Sequence, residues 1–228
     1  MTVTIHRDLL QGSDEWLQAR CGILTASEMK LIITPTLKIA KNEKASAHLF
    51  ELLAQRITGF VEPRYIGDDM LRGQQDEIEA RMLYAKHYAP VEEVGFITNN
   101  EWGFTLGYSP DGVVGDDGLI EVKSRRQKFQ AATIVDWNVP EEYRIQIQTG
   151  LLVTGRKWCD FVSYCGGMPM VTLRALPEPE TQEAILAAAA AFEKQLAEYL
   201  AGYTDHTTMA GTRLIPTERR IEQEMIGL

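Results

Sequence analysis

The stretch that most constrains the fold is Ser109-Pro110-Asp111-Gly112-Val113-Val114, followed by Asp116-Asp117-Gly118 and then Leu119-Ile120-Glu121-Val122-Lys123. Two β-rich runs separated by a turn signal predict a short hairpin. Gly118 is the residue expected to supply a positive φ in that turn. Side chains alternate along a strand, so Glu121 and Lys123 point the same way, and Asp111 stands at the entry of the same hairpin. Two carboxylates and an ammonium around one point suit a hard divalent cation and a water beside it. The same spacing also describes a solvated hairpin with a surface ion pair, so the surrounding sequence has to decide.

With 228 residues, 45% of them hydrophobic, the chain can bury one substantial core. A single domain over 1–203 is expected, followed by a weakly periodic, acidic tail over 204–228 for which mobility is expected. No apolar run reaches membrane-spanning length, and the first residues lack the order of a signal peptide, so a cytoplasmic protein is expected. Cys21, Cys159 and Cys165 are odd in number and lack CxxC spacing, which disfavours a disulfide framework or a cysteine zinc site. The net charge of −9 is unusual for a nucleic-acid binder. Basic residues nevertheless cluster between Arg20 and Arg56 and again at Lys123, Arg125, Arg126 and Lys128, while the last fifty residues are acidic.

Periodicity predicts helices over Ser13–Arg20, from Thr25-Ala26-Ser27-Glu28 read as a capping box, and over Glu43–Thr58 with Gly59 as the stop. A helix over Gln74–Tyr88 is expected to turn Ile78, Met82, Leu83 and Ala85 inward. Further helices are expected near Lys128–Val135, over Glu141–Val153 and over Glu180–Tyr199. Strands are expected over Val91–Ile97, Trp102–Tyr108, Val113-Val114 and Leu119–Lys123, with a later hairpin around Gly166-Gly167. The order predicts an α/β (α+β) domain with a central mixed sheet flanked by helices. Two features sit oddly in it. Gln146 and Gln148 interrupt an apolar helix, and Glu77 opens another, where helix-end electrostatics alone would account for it.

Five blocks occur together, in this order: Trp16-Leu17-Gln18-Ala19-Arg20 with Gly22 to Glu28, Gly73-Gln74-Gln75-Asp76-Glu77, Ser109-Pro110-Asp111-Gly112, Glu121-Val122-Lys123, and Gln146-Ile147-Gln148. In this they resemble the PD-(D/E)xK nuclease superfamily, and more closely the lambda-phage exonuclease family of YqaJ-like viral recombinases. The resemblance covers roughly residues 12–165. It implies a 5′→3′ exonuclease that works from double-stranded DNA ends, releases 5′-mononucleotides and leaves a 3′ single strand for phage-type recombination. It also implies a ring-shaped homotrimer, a single-strand annealing protein as partner, and the cytoplasm of a bacterial host carrying the phage or prophage.

By the same resemblance, two Mg²⁺ ions (or Mn²⁺) would be held by Asp111, Glu121, the main-chain carbonyl of Val122, and Glu77. Lys123 would position and partly deprotonate the attacking water. Gln146 would orient the site, with Gln148 as the alternative. Arg20, Ser27 and Ser109 would hold the 5′-phosphate. Met70, or Leu71 beside it, would wedge the strands apart, and Lys38, Lys41 and Lys44 could meet phosphates ahead of the site. An endonuclease or single-strand nuclease of the same superfamily, or a DNA-end-binding protein that does not cleave, are the alternatives.

Overall fold

The computed structural model describes residues 2–63 and 67–219, and residues 220–228 of the expected tail lie outside them. The order is β1 (Val3–His6), α1 (Asp14–Arg20), β2 (Leu24–Thr25), α2 (Met29–Ile32), α3 (Glu43–Thr58), α4 (Asp68–His87), β3 (Phe96–Asn99), β4 (Leu106–Tyr108), β5 (Gly112–Val114), β6 (Gly118–Ser124), α5 (Gln127–Asp136), α6 (Glu141–Thr154), β7 (Trp158–Tyr164), β8 (Val171–Ala175) and α7 (Pro179–Thr208). This is a mixed α/β domain with helices around its sheets. Among the described residues no helix is long and apolar enough to cross a membrane.

The β-structure forms two four-stranded sheets rather than one, ordered β1-β3-β4-β2 and β5-β6-β7-β8. Each is mixed: β2 runs parallel to β4 and β6 parallel to β7, and the other pairs are antiparallel. The division falls at Ser109-Pro110, where a residue without an N–H cannot extend a ladder. Gly112 resumes pairing opposite Ile120, and no larger residue fits there. A Cβ at Gly112 would lie 2.2 Å from Val91 Cγ1. In the hairpin turn Gly115, at φ +52°, takes the positive φ expected of Gly118. Gly118 belongs to β6 instead, flush against the Trp158 indole.

The parallel pair β6–β7 needs a crossover, and α5 and α6 supply it. One face of β6, carrying Leu119, packs with Ile145, Ile147 and Leu151 of α6. The other face, Ile120 and Val122, packs with Ala80 and Tyr84 of α4. The catalytic-looking strand is therefore covered on both sides, which explains why Glu121 is buried rather than surface-exposed.

Four local expectations change. Helix α4 begins at Asp68 and buries Ala80 and Tyr84 instead: Ile78, Met82, Leu83 and Ala85 are exposed, while Tyr84 donates to Asp160 Oδ2 at 2.6 Å. Asp160 also accepts two bonds from Arg174, so the Tyr84 hydroxyl ties α4 to a fixed carboxylate on β7. Thr25 is no helix cap. It lies in β2, and its hydroxyl donates to Glu28 Oε2 at 2.7 Å, leaving α2 without a side-chain cap. The expected strand over Val91–Ile97 starts only at Phe96, with a single bridge from Glu92 to Val113 before it. Helix α7 continues past Tyr199 to Thr208, because Leu200 still packs on the core and Thr204, Thr207 and Thr208 bond back to carbonyls of the preceding turn. The first residues of the expected tail are thus helical.

Candidate active site

Glu121 is the hub. Its Oε1 accepts from Lys123 Nζ at 2.6 Å and from Gln146 Nε2 at 2.5 Å, and its Oε2 accepts from Tyr108 OH at 2.8 Å. Asp111, at the hairpin entry, accepts from the Val122 N–H at 2.6 Å. Glu77, two turns into α4, accepts from Arg81 at 2.8 Å, and Arg81 also donates to the Asp111 carbonyl at 3.1 Å. Asp111, Glu121, Lys123, Gln146 and Glu77 thus occupy one locality. Gln148 does not: it bonds the Leu176 carbonyl and accepts from the Glu178 N–H. Two residues apart on a helix, the glutamines face different ways.

This divides their expected effects. Gln148→Leu removes hydrogen bonds to two partly exposed backbone groups and should cost about 0.5–1.5 kcal/mol in denaturant melts, with catalysis kept. Gln146→Leu should lower activity with little change in stability.

The electrostatics show why these groups are held apart by donors. Burial, then the charge of Glu121, raise Asp111 well above the ordinary carboxylate range despite Lys123. Burial, against the pull of Arg81, raises Glu77. Burial lowers Lys123, but the charges of Glu121 and Asp111 more than offset it and the net shift is upward. Lys123 is therefore held as a cation and a donor beside these two carboxylates. The cleft oxygens are engaged by Lys123, Gln146, Tyr108 and a backbone N–H. Among the described residues, the group of three whose ligand atoms all lie within 4.8 Å of one another is Glu28, His48 and Glu51. The donor set of the cleft nevertheless fits a hard divalent cation: oxygens only, mutually repelling and partly desolvated.

A pH prediction follows from these shifts. A carboxyl whose folded pKa is raised favours the folded state below its unfolded value, and that contribution is lost as pH rises through the folded value. In EDTA, the difference in melting temperature between Asp111→Asn and the parent should therefore grow from acidic to alkaline pH, with the variant the more stable. Added Mg²⁺ should shrink it. A pH-independent difference would contradict the repulsion.

A cavity of about 150 Å³ opens beside this cluster, lined by Trp16, Arg20, Thr25, Ala26, Ser27, Tyr108, Ser109 and Gln146. The structure thus places Arg20, Ser27 and Ser109 together. Arg20 donates to Ser109 Oγ at 3.1 Å and to Thr25 Oγ1 at 3.2 Å, and its guanidinium lies 4.3 Å from the Trp16 ring centroid. Trp16 Nε1 reaches the Gly95 carbonyl and Ser109 Oγ, each at 3.0 Å. Arg20 ends α1, whose N-cap Ser13 accepts from the Trp16 N–H. Ser27 follows β2 and Ser109 follows β4, so the parallel pairing of those strands aligns them. A second cavity, of about 840 Å³, runs past Arg20, Met70, Gln74, Glu77 and Asp111. Met70 is on α4, half exposed and facing this cleft rather than the core. Leu71 is equally exposed, as are Lys38, Lys41 and Lys44.

Three residues of the site escaped the sequence reading. Arg81 stands one helical turn from Glu77, and i,i+4 pairing could have found it. Tyr108 directly precedes the Ser-Pro-Asp-Gly block but carries no local signal of a bond to Glu121. Trp16 opens the first of the five blocks, but its spacing carries no signal that its ring lies under Arg20.

A two-sheet α/β core with an aspartate, a Glu-x-Lys strand and a glutamine bonded to that glutamate is that of the PD-(D/E)xK class, and its neighbours in structure are exonucleases. The YqaJ-like viral recombinase domain matches residues 15–157, and the chain belongs to that family. Among solved structures it is similar to the alkaline exonuclease LHK-Exo from Laribacter hongkongensis, with a TM-score of 0.76 and 32% identity over 86% of this chain and 98% of that one. LHK-Exo in complex with dAMP matches with a TM-score of 0.76 and 33% identity, over 86% of this chain and 97% of that one. A phage-related exonuclease from Haemophilus somnus 129PT shares the fold at 13% identity, with a TM-score of 0.59 over 79% and 96% of the two chains. No curated protein matches the sequence.

Proposed function

We propose that this chain is a divalent-metal-dependent exonuclease that engages double-stranded DNA at an end and degrades it 5′→3′. It releases 5′-mononucleotides and leaves a 3′ single strand for recombination by annealing. The observation that carries this reading is the small cavity. Its arginine and two serines face one wall formed by Gln146 and Tyr108, and both of those side chains bond Glu121. A terminal phosphate seated on Arg20 would therefore lie one side chain away from the carboxylate cluster. Arg presents a fork of donors matched to phosphate, and the hydroxyls of Ser27 and Ser109 add two more. The complex of LHK-Exo with dAMP agrees with a mononucleotide product.

Asp111, Glu121, the Val122 carbonyl and Glu77 are the groups that would hold two Mg²⁺ or Mn²⁺ ions. When bound, the ions would lower the pKa of the attacking water and neutralise charge on the scissile phosphate. Gln146 and Tyr108 fix the Glu121 carboxylate, and Arg81 fixes Glu77 against Asp111. Lys123 contributes positive charge where the transition state accumulates negative charge. Met70 would meet the bases where the duplex parts.

The test is a linear duplex labelled at either end, incubated with Mg²⁺ and bearing a 5′-phosphate or a 5′-hydroxyl. Mononucleotides should leave the 5′ strand, faster with the phosphate, and EDTA should stop release. Cutting of a closed circle would establish an endonuclease instead. The family resemblance extends the proposal to a homotrimer and to an annealing-protein partner. Sedimentation should give the mass of three chains, and a processive monomer would refute the ring.

A further inference from the structure

We propose a second metal site, distinct from the carboxylate cluster of Asp111, Glu121 and Glu77, formed by Glu28, His48 and Glu51 and suited to a first-row divalent ion of the Zn²⁺ type. His48 lies in the middle of α3 with its side chain only 1% exposed, against the Phe192 ring of α7 at 5.7 Å between centroids. Its Nδ1 is 3.1 Å from Glu51 Oε2, one turn along the helix. A carboxylate only accepts, so this bond places the proton on Nδ1. Nε2 then presents a lone pair. It is buried, has no hydrogen-bond partner, and stands 3.9 Å from Glu28 Oε2.

Two acceptors facing one another across that gap repel. A second proton on Nε2 would make an ion pair with Glu28 but no hydrogen bond, because 3.9 Å is too long for one, and the buried nitrogen would still lack a partner. A cation does resolve it. Zinc–nitrogen and zinc–carboxylate bonds of about 2.0–2.2 Å each bridge the gap with a bent geometry. All three candidate ligand atoms lie within 4.8 Å of one another. Glu51 can complete the set, or act on the imidazole as the carboxylate that orients a metal-bound histidine. Imidazole with carboxylate selects a borderline transition metal over Mg²⁺, which separates this site from the all-oxygen cleft.

Its position gives the site a role. Glu28 Oε2 also accepts from Thr25 Oγ1, which in turn accepts from Arg20. An ion there would pin α3 to the segment that presents Arg20 to the small cavity.

The test is equilibrium dialysis of full-length Asp111→Asn, in which the cleft ligands are weakened, against Zn²⁺, followed by Co²⁺ absorption spectroscopy. One equivalent should be retained, with Co²⁺ bands of low-coordination nitrogen/oxygen ligation. His48→Gln in that background should lose it. If circular dichroism shows that His48→Gln is unfolded, Glu51→Gln decides, since its side chain is partly exposed and isosteric with glutamine, and its loss should weaken affinity by about 10- to 100-fold. Unchanged Zn²⁺ affinity in either folded variant overturns the site, as does an NMR spectrum of the Zn²⁺-equilibrated protein with His48 Nε2 protonated. None of these outcomes bears on cleavage at the cleft, so the nuclease reading stands or falls separately.

Discussion

Lys123→Met should bind a 5′-phosphorylated duplex end with near-parental affinity while kcat falls by about 10²- to 10³-fold, the usual effect of removing one preorganised electrostatic donor. The size follows from where the ammonium sits. It is held 2.6 Å from Glu121 Oε1 on the same strand face, its side chain only 23% exposed. No other lysine or arginine bonds that carboxylate among the described residues. The substitution also leaves Asp111 and Glu121 without their shared cation, so the variant should lose thermal stability in EDTA and recover it with Mg²⁺. Single-turnover kinetics beside an end-binding titration separate the two effects. Near-parental kcat would remove Lys123 from the chemistry, and a large loss of binding would make it a DNA contact.

Arg20→Ala should abolish the preference for a 5′-phosphate over a 5′-hydroxyl. It should lower kcat/KM on the phosphorylated end by about 10- to 100-fold, the worth of charge-assisted hydrogen bonds to a phosphate. The 5′-hydroxyl substrate is the control, and its turnover should change little. Arg20→Lys should not restore the preference, because a point charge cannot reproduce two simultaneous bonds made over an indole face. If both substrates slow equally, Arg20 acts through folding of the α1–β2 corner and the phosphate seat lies elsewhere.

The hairpin from Asp111 to Lys123 was legible because strand periodicity is rigid: residues two apart must share a face. Gln146 and Gln148 were not separable, since both interrupt the same apolar pattern and only the neighbours of α6 distinguish them. Phase failed in α4 for a related reason. Tyr84 follows a buried carboxylate from β7, and that tertiary bond overrides the stripe of Ile78 and Met82. The grouping of Arg20 with Ser27 and Ser109 rested on resemblance alone. Its physical cause, the parallel pairing of β2 with β4, involves a two-residue strand too short to show in any periodicity. His48 has Glu51 one turn along α3, but Glu28 joins them only once α3 packs beside the Thr25–Glu28 turn.

The break between the two sheets at Ser109-Pro110 has one more consequence. The cavity belongs to the edge of the first sheet, and Glu121 belongs to the second, with Asp111 at its entry. Tyr108 is the last residue of one sheet and holds Glu121 of the other. If the cavity seats the terminal phosphate, the length of the excised fragment is measured by the offset between two rigid layers. Lengthening the Ser109–Asp111 corner would then alter how many nucleotides are clipped per turnover before it altered how fast.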